Sequence, residues 1–404
     1  MMDHRRIGRC GQALGVVAIL LLMGCANTSG DSTAPAEEAP PTAEETPMPA
    51  TESTADWTMF RGDLGNTGRV GDPSLLGAAE LSWSFDTGGK VESSPTVWGG
   101  RVYVGTFNEH LFALDAESGE EVWRFHVGAL VRASPSVVGG LVYFGADDDK
   151  FYALDAATGA ERWSVALGPG GEQSSPAVVD GTVFFGAFDH RVYALDALTG
   201  EERWTYATGG GILSSPTVAD GVVLIGSMDG HLHAVDQTTG EGRWTFETGE
   251  TIFSSPAVAD GVAFIGSYDD HVYAVRIADG SEVWRVQTGG DVFASPATEG
   301  GVVYVGSDDG NLYALDASTG ESRWQTDLGG RVLASVAILR DGLYVGSSDG
   351  FLYALGLDGS VAWRFEVGDI VWSSVTVTPD GRLFFGSHNG RVHALGGSRY
   401  SRST

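Results

Sequence analysis

The sequence predicts an all-β protein, an eight-bladed β-propeller of four-stranded antiparallel blades closed by its N-terminal strand. Eight tryptophans recur at intervals of 39 to 41 residues through the 404-residue chain. Each interval contains four short apolar runs separated by Gly, Asp and Asn. A repeat of about 40 residues with four strands is typical of a propeller blade. The tryptophans are Trp83, Trp123, Trp163, Trp204, Trp244, Trp284, Trp324 and Trp363.

One repeat shows how the strands are delimited. Its four runs are SSPTV at 93–97, VYVG at 102–105, LFALD at 111–115 and EVWRF at 121–125. Such runs, rich in β-branched and aromatic residues and bounded by turn residues, are typical of antiparallel strands. The 59 glycines suit the tight turns between them, because glycine adopts positive φ at the least steric cost.

The number of blades follows from the Ser-Ser-Pro motif and its variants, which begin eight repeats. Seven of these repeats run to a tryptophan strand. The eighth, from Ser373, lacks a fourth strand, whereas residues 81–85 (LSWSF) form a fourth strand without the first three. Because an unpaired sheet edge is a liability, we expect the two chain ends to complete one blade together.

The repeated Asp, Thr-Gly and tryptophan of each blade are interpreted as scaffold. The aspartate can accept backbone N–H groups of the next turn, and the tryptophan offers a large flat area for packing between blades. The pattern Ala-x-Asp-x-x-Thr-Gly-x-x-x-Trp resembles the docking motif of the PQQ-like (quinoprotein-type) propeller superfamily. Six copies are recognisable, and Arg276 and Gly356 replace the aspartate in the other two.

A second resemblance lies before the first blade. Residues 56–68 (DWTMFRGDLGNTG) are similar to the entry segment of many proteins of this superfamily. The resemblance covers about residues 57–397 and is far more specific for fold than for function. The superfamily includes quinone-dependent alcohol dehydrogenases and the BamB-type lipoproteins of outer-membrane protein assembly.

The N-terminus predicts export. Residues 1–24 read as a lipoprotein signal peptide, with three arginines before an apolar stretch of eleven residues, which is too short to span a membrane. Leu22-Met23-Gly24-Cys25 resembles a bacterial lipobox and implies lipidation of Cys25; an ordinary signal peptide is the alternative. We expect a lipid-anchored protein of the outer membrane that faces the periplasm, with the cell surface as the other possibility.

The remaining boundaries follow from composition. Residues 25–55 comprise the lipidated cysteine and an acidic tether of Pro, Ala, Thr and Glu, which we expect to be disordered. Residues 56–397 form the propeller, and residues 398–404 are a flexible tail. The propeller is predicted to be monomeric.

The cysteine content speaks against a quinoprotein enzyme. The sequence has two cysteines, Cys10 and Cys25, both in the signal region. The resemblance implies that a dehydrogenase of the superfamily would carry a vicinal cysteine disulfide, a calcium site and large insertions around its quinone. The repeats here are near minimum length, so we predict no enzyme, no catalytic residues, no metal site, and neither PQQ nor calcium.

The charge limits the partners. Without residues 1–24 the chain has 21 basic and 52 acidic residues, a net charge of −31. This balance excludes nucleic acid as a partner and leaves the acyl group as the membrane contact.

The candidate site lies where the repeats differ. Two positions of each repeat, which we call slots, vary from blade to blade. The pre-serine slot directly precedes the Ser-Ser-Pro motif, and the turn slot lies in the turn between the second and third strands, on the same face. Glu92, Arg132 and Asp147 make one sector of these slots polar. The other slots predict an apolar arc, which either binds a partner or packs between blades. Its residues are Phe188, Leu213, Met228, Phe253, Tyr268, Phe293, Leu333 and Trp372.

The function that these observations favour is a protein-interaction scaffold of the cell envelope, BamB-like and serving outer-membrane protein assembly. Its partners would be envelope proteins or unfolded client segments. The alternative is an envelope protein that binds a small molecule or polysaccharide, and the third is a PQQ-dependent oxidoreductase.

Overall fold

The computed structural model describes residues 58–70, 77–171 and 174–396. The predicted signal peptide, Cys25, the tether and the tail lie outside these residues. In the described part, 32 strands form eight four-stranded antiparallel sheets. No helix in this part is long and apolar enough to cross a membrane.

The strands follow one another in blade order. They are β1 (Glu80–Asp86), β2 (Thr96–Trp98), β3 (Arg101–Gly105), β4 (His110–Asp115), β5 (Glu121–His126), β6 (Ser136–Val138), β7 (Leu141–Ala146), β8 (Lys150–Asp155), β9 (Glu161–Ala166), β10 (Ala177–Val179), β11 (Thr182–Ala187), β12 (Arg191–Asp196), β13 (Glu202–Ala207), β14 (Thr217–Ala219), β15 (Val222–Gly226) and β16 (His231–Asp236). The second half comprises β17 (Gly242–Glu247), β18 (Ala257–Ala259), β19 (Val262–Gly266), β20 (His271–Arg276), β21 (Glu282–Gln287), β22 (Ala297–Glu299), β23 (Val302–Gly306), β24 (Asn311–Asp316), β25 (Ser322–Asp327), β26 (Ala337–Ile338), β27 (Gly342–Gly346), β28 (Phe351–Gly356), β29 (Val361–Glu366), β30 (Thr376–Val377), β31 (Leu383–Gly386) and β32 (Arg391–Gly396).

The predicted ring closure is confirmed. Strand β1 pairs antiparallel with β32, so that Trp83 lies opposite Ala394 and Phe85 opposite Val392. Blade 8 therefore has the order β1-β32-β31-β30, while blades 1 to 7 each use four consecutive strands. The first strand of the propeller thus covers the sheet edge that the last blade would otherwise leave unpaired.

The tryptophans join neighbouring blades. Trp123 Nε1 donates a hydrogen bond to the carbonyl oxygen of Ala156 in the next blade, at 3.1 Å. The indole ring lies against Gly159, where a Cβ atom would come within 2.8 Å of the ring, and the φ of this glycine is +72°. Glycine is therefore required there both for its conformation and for the close approach. The same donation is made by Trp83, Trp163, Trp204, Trp244, Trp284 and Trp324.

The two eroded docking motifs keep their turn by other means. In an intact copy, Asp155 Oδ1 accepts the backbone N–H groups of Ala157 and Thr158. Where Arg276 replaces this aspartate, Asp279 accepts from Ser281, and after Gly356 the acceptor for Ser360 is Asp358. In these two copies the accepting carboxylate lies at a later position of the turn. The turn persists because a carboxylate still accepts its N–H groups.

Residues 58–68 of the entry segment and the two residues that follow it lie along the innermost strands. The carbonyl oxygens of Leu64, Gly65, Thr67 and Gly68 accept N–H groups from four successive blades, 4 to 7. The donors are Val218, Val258, Thr298 and Ile338. Each donor is three residues beyond the second residue of its Ser-Ser-Pro motif or variant. The entry segment therefore lies at the end of the central channel away from the slots, which the sequence did not reveal.

Candidate functional site

The two variable slots meet at one end of the channel, which we call the mouth. The N–H of Met228 donates to the carbonyl oxygen of Gly211, two residues before Leu213, and Tyr268 N–H donates to Thr251, two residues before Phe253. Each turn slot is thereby held beside the pre-serine slot of its own blade. The predicted common face is correct, and it gathers the side chains that differ from blade to blade.

Four residues of the apolar arc form a connected aromatic cluster at the mouth: Phe253, Tyr268, Phe293 and Trp372. The rings of Phe253 and Tyr268 meet edge to face, with centroids 4.7 Å apart. Phe293 contacts Phe253 at 5.8 Å and Trp372 at 5.2 Å. All four side chains are half-buried. The four rings of the aromatic cluster pack against one another and remain partly exposed. The cluster is therefore compatible with both alternatives for the arc, binding a partner and packing between blades.

The other four arc residues are less uniform. Phe188 and Met228 lie on either side of Gly211, whose Cβ position would be 3.3 Å from the Phe188 ring and 3.2 Å from the Met228 sulfur. Met228 is 38% exposed and Leu213 is half-buried. Leu333 is 5% exposed and supports the wall of the mouth. The apolar arc is therefore continuous in position but uneven in exposure.

The polar sector occupies blades 1 and 2 and is internally paired. Arg132 Nε lies 3.1 Å from Asp147 Oδ2, and Arg132 Nη1 lies 3.9 Å from Glu92 Oε2. The Arg132 guanidinium also stands 4.8 Å over the ring of Phe107, a favourable cation–π position. Burial raises the pKa of Asp147, and the hydrogen bond from Arg132 opposes that rise.

His388 connects the two parts of the mouth, which sequence reasoning missed. Its ring stacks on Trp372 with centroids 5.6 Å apart. Its Nε2 lies 3.1 Å from Glu92 Oε1, although the angle between them is not that of a hydrogen bond. The signal was present in the sequence, because His388 occupies the turn slot of blade 8 next to Trp372 in the pre-serine slot.

Acidic groups also flank the aromatic cluster. Burial, followed by the nearby Asp308 and Asp270 carboxylates, raises the pKa of Asp291. Arg331 pairs with Asp308 at this rim. Burial raises the pKa of Tyr268 to about 12, with Asp308 contributing in the same direction. The apolar part of the mouth therefore has an anionic border.

The mouth opens into a cavity of about 150 Å³, which eight serines line together with pre-serine residues such as Phe253, Phe293 and Trp372. We call these eight serines the serine ring: Ser94, Ser134, Ser175, Ser215, Ser255, Ser295, Ser335 and Ser374. Six of their hydroxyl oxygens accept a backbone N–H group from the preceding blade, as from Ser94 N to Ser134 Oγ and from Ser374 N to Ser94 Oγ. The ring thus links neighbouring blades around the axis, including the first and the last.

The entry segment supplies the far wall of this cavity. Phe60 lines it. The next residue, Arg61, is 2% exposed, and its guanidinium nitrogens have no hydrogen-bond partner among the described residues. Burial lowers the pKa of Arg61 to about 9, with the Asp63 carboxylate opposing, so the side chain stays charged at neutral pH.

Metal-binding chemistry has no support in the described residues. In 58–70, 77–171 and 174–396 no group of three or more His, Cys, Asp or Glu side chains is arranged to hold a metal ion. His110, His231 and His271 begin third strands in blades 1, 4 and 5, and the rings of His231 and His271 each contact the aspartate two residues before them.

The architecture defines the class of protein: an eight-bladed propeller of PQQ-like repeats. Overlapping matches to the family model described as outer membrane protein assembly factor BamB cover residues 76–211, 189–293 and 269–399. The chain belongs to this family. No curated protein sequence matches it significantly.

Solved structures extend the comparison of the fold. BamB from Moraxella catarrhalis is 22% identical, with a TM-score of 0.70 over 79% of this chain and 99% of that one. The quinohemoprotein alcohol dehydrogenase from Comamonas testosteroni is 16% identical, with a TM-score of 0.73 over 87% and 82%. The computationally designed Ika8 protein is 17% identical, with a TM-score of 0.66 over 78% and 99%. At these sequence identities the solved structures show a common fold, and the function has to be argued from the residues of the site.

Proposed function

We propose that this protein is a lipid-anchored scaffold of the cell envelope that binds protein partners at the mouth and takes part in outer-membrane protein assembly. The observation that carries the proposal is the aromatic cluster, a half-buried group of four rings at the face where the blades differ. Aromatic side chains in a partly desolvated depression are typical anchors of protein interfaces. Family membership supports the choice of pathway.

The partner is an envelope protein or an unfolded client segment. An extended apolar segment could lie along the arc from Phe188 to Trp372, and the acidic border formed by Asp291 and Asp308 favours basic residues beside it. The lipid on Cys25 would hold the propeller at the outer membrane, facing the periplasm. No catalytic residue, quinone or metal has a part in this function.

The test is photo-crosslinking in the native envelope, with the wild-type chain compared with a Phe253→Ser, Tyr268→Ser double variant. We expect the double variant to lose at least about tenfold of its partner capture, because two anchors are removed from the interface. The matched control is Leu198→Ser with Leu357→Ser, since these leucines are exposed at 60% and 41% and lie outside the mouth.

The outcomes separate the candidate functions. Equal capture by all three chains, or loss of capture that follows loss of folding in thermal melting, contradicts the proposal. Mass spectrometry of the captured proteins decides between an assembly partner and another envelope protein. Dye reduction upon addition of pyrroloquinoline quinone and calcium would instead establish an oxidoreductase.

A further inference from the structure

The Glu92 carboxylate lines the cavity at the mouth, and two basic side chains approach it without donating a hydrogen bond to it. Arg132 Nη1 lies 3.9 Å from Glu92 Oε2, which is beyond hydrogen-bond distance. His388 Nε2 lies 3.1 Å from Glu92 Oε1 and makes no hydrogen bond to any described residue. The Glu92 side chain is 18% exposed, so it is largely withdrawn from solvent. A carboxylate in this position retains the capacity to accept hydrogen bonds from a ligand.

The charges of the polar sector do not balance. Arg132 Nε donates a hydrogen bond to Asp147 Oδ2 at 3.1 Å, so its guanidinium is committed to that carboxylate. Two carboxylates and one guanidinium leave one excess negative charge among Glu92, Arg132 and Asp147. Of the two carboxylates, the one that lines the cavity is Glu92. The excess charge therefore borders the space that a ligand enters, and it favours a cation there.

Aromatic rings form another wall of the same cavity. Phe253, Phe293 and Trp372 line it, and Trp372 stacks on His388, the neighbour of Glu92. Ring faces attract cations. A guanidinium is planar and weakly hydrated, so it can lie on a ring and donate to a carboxylate at the same time, whereas an ammonium group is a compact and strongly hydrated charge. The combination of rings and one carboxylate therefore favours arginine over lysine.

The size of the cavity limits the ligand. Its volume of about 150 Å³ is well below the roughly 300 Å³ at which pockets for drug-sized molecules begin. A single long side chain is a suitable occupant, and the apolar arc offers apolar surface to the residues on either side of it.

We propose that the mouth binds its partner by receiving one arginine side chain, whose guanidinium donates to Glu92 and lies against the aromatic wall. This inference rests on the proposed function and names the feature that the mouth selects in its partner, an arginine flanked by apolar residues. The apolar neighbours of that arginine lie along the apolar arc, and the acidic border attracts the basic segment before contact.

The probe is the pentapeptide Gly-Leu-Arg-Leu-Gly with acetylated and amidated ends, compared with the same peptide carrying citrulline, which keeps the shape of arginine without its charge. In calorimetric titration, the full-length wild-type protein should bind the arginine peptide at least about tenfold more tightly. Glu92→Gln should reduce this preference to within about threefold, because the side chain keeps its shape and loses its charge. The matched control is Glu121→Gln, which removes an exposed carboxylate from β5 and should keep the wild-type preference.

A second measurement does not depend on variants. Crystals of the wild-type protein grown with the arginine peptide should place the guanidinium within hydrogen-bond distance of the Glu92 carboxylate. A guanidinium bound elsewhere, equal binding of the two peptides, binding of neither, or an equal loss of preference in Glu92→Gln and Glu121→Gln would each overturn the proposal. Binding of maltose with none of the arginine peptide would overturn it in favour of a carbohydrate.

Failure of this inference and failure of the proposed function are distinguishable. If Phe253→Ser with Tyr268→Ser loses partner capture but the wild type does not distinguish arginine from citrulline, the scaffold function stands and the assignment of arginine is wrong. If that double variant captures as well as the wild type while the arginine preference persists, the site for arginine stands and the scaffold function is wrong.

Discussion

The polar sector and the aromatic cluster occupy equivalent slots of the same repeated backbone, yet they are held together differently. In the polar sector, Arg132 contacts Asp147 and Glu92, so its charges are paired across blades. In the aromatic cluster, Phe293 contacts Phe253 and Trp372 through ring faces and edges. Charge pairing satisfies Arg132 and Asp147, whereas ring packing leaves apolar area at the surface. The comparison therefore indicates which part of the mouth remains available to a partner.

The largest effect is expected at the centre of the aromatic cluster. Phe293→Ala removes the ring that joins Phe253, Tyr268 and Trp372, and should lower the free energy of unfolding by about 2–3 kcal/mol. This is below the range for fully buried phenylalanines, because Phe293 is half-buried. Chemical denaturation measures the loss, with Leu198→Ala as the exposed control. A change below about 0.5 kcal/mol would mean that the rings do not support one another.

The polar sector should respond next most strongly. Arg132→Ala leaves Asp147 and Glu92 without their shared cation, and should lower the free energy of unfolding by about 1–2 kcal/mol. Arg124→Ala removes an exposed pair with Glu121 and should cost less than about 0.5 kcal/mol. Denaturation at low and high salt gives both values. If the two variants lost the same amount, the polar sector would be no more than an ordinary surface ion pair.

A double-mutant cycle tests whether the two parts are independent. Phe293→Ala and Trp372→Ala should show a coupling energy of about 0.5–1.5 kcal/mol, because their rings are in contact. Phe293→Ala and Arg132→Ala should add within about 0.5 kcal/mol. Coupling in the second pair as large as in the first would show that His388, which touches Trp372 and Glu92, transmits between them.

The smallest effect is a difference in pH dependence between the mouth and the scaffold. Burial raises the pKa of folded Asp147, so its contribution to stability falls as the pH rises from the unfolded value of about 3.9 to the folded one. Arg203 lowers the pKa of folded Asp196, so its contribution is present above about 3.9 and is lost as the pH falls through the folded value.

Denaturation of Asp147→Asn and Asp196→Asn at pH values from about 6 to 3 should therefore give opposite trends. As the pH falls, the difference in the free energy of unfolding between the wild type and Asp196→Asn should decrease by no more than about 1 kcal/mol. Over the same range, the free energy of unfolding of the wild type should rise relative to that of Asp147→Asn. Parallel trends would show that folding shifts the pKa of Asp147 in the mouth in the same direction as the pKa of Asp196 in the scaffold.

Sequence reasoning was accurate wherever a feature is repeated. The eight tryptophans, the turn glycines and the incomplete first and last repeats determine blade number and closure, because each blade must bury the same faces against its neighbours. The resemblance to BamB-type propellers is confirmed by the family match. The sequence also located the variable slots, since they are what remains when the repeated positions are removed.

Other features depend on atoms that are far apart in the chain. Nothing in the order of residues shows that Trp372 reaches Phe293 past the buried Leu333, or that His388 lies beside Glu92. The same holds for Arg61, which the entry segment carries to the innermost strands of blades 6 and 7. These contacts arise because the ring brings residues about 80 to 300 positions apart to one axis.

The sequence by itself therefore determined the blade, its number and the closure of the ring, because local strand patterns and a constant repeat require no knowledge of distant contacts. The tertiary structure alone decided what converges on the axis: a divided mouth, a ring of serines and a buried guanidinium. Convergence is a property of the closed ring, in which each blade contributes one residue to a shared centre, and no single repeat contains that information.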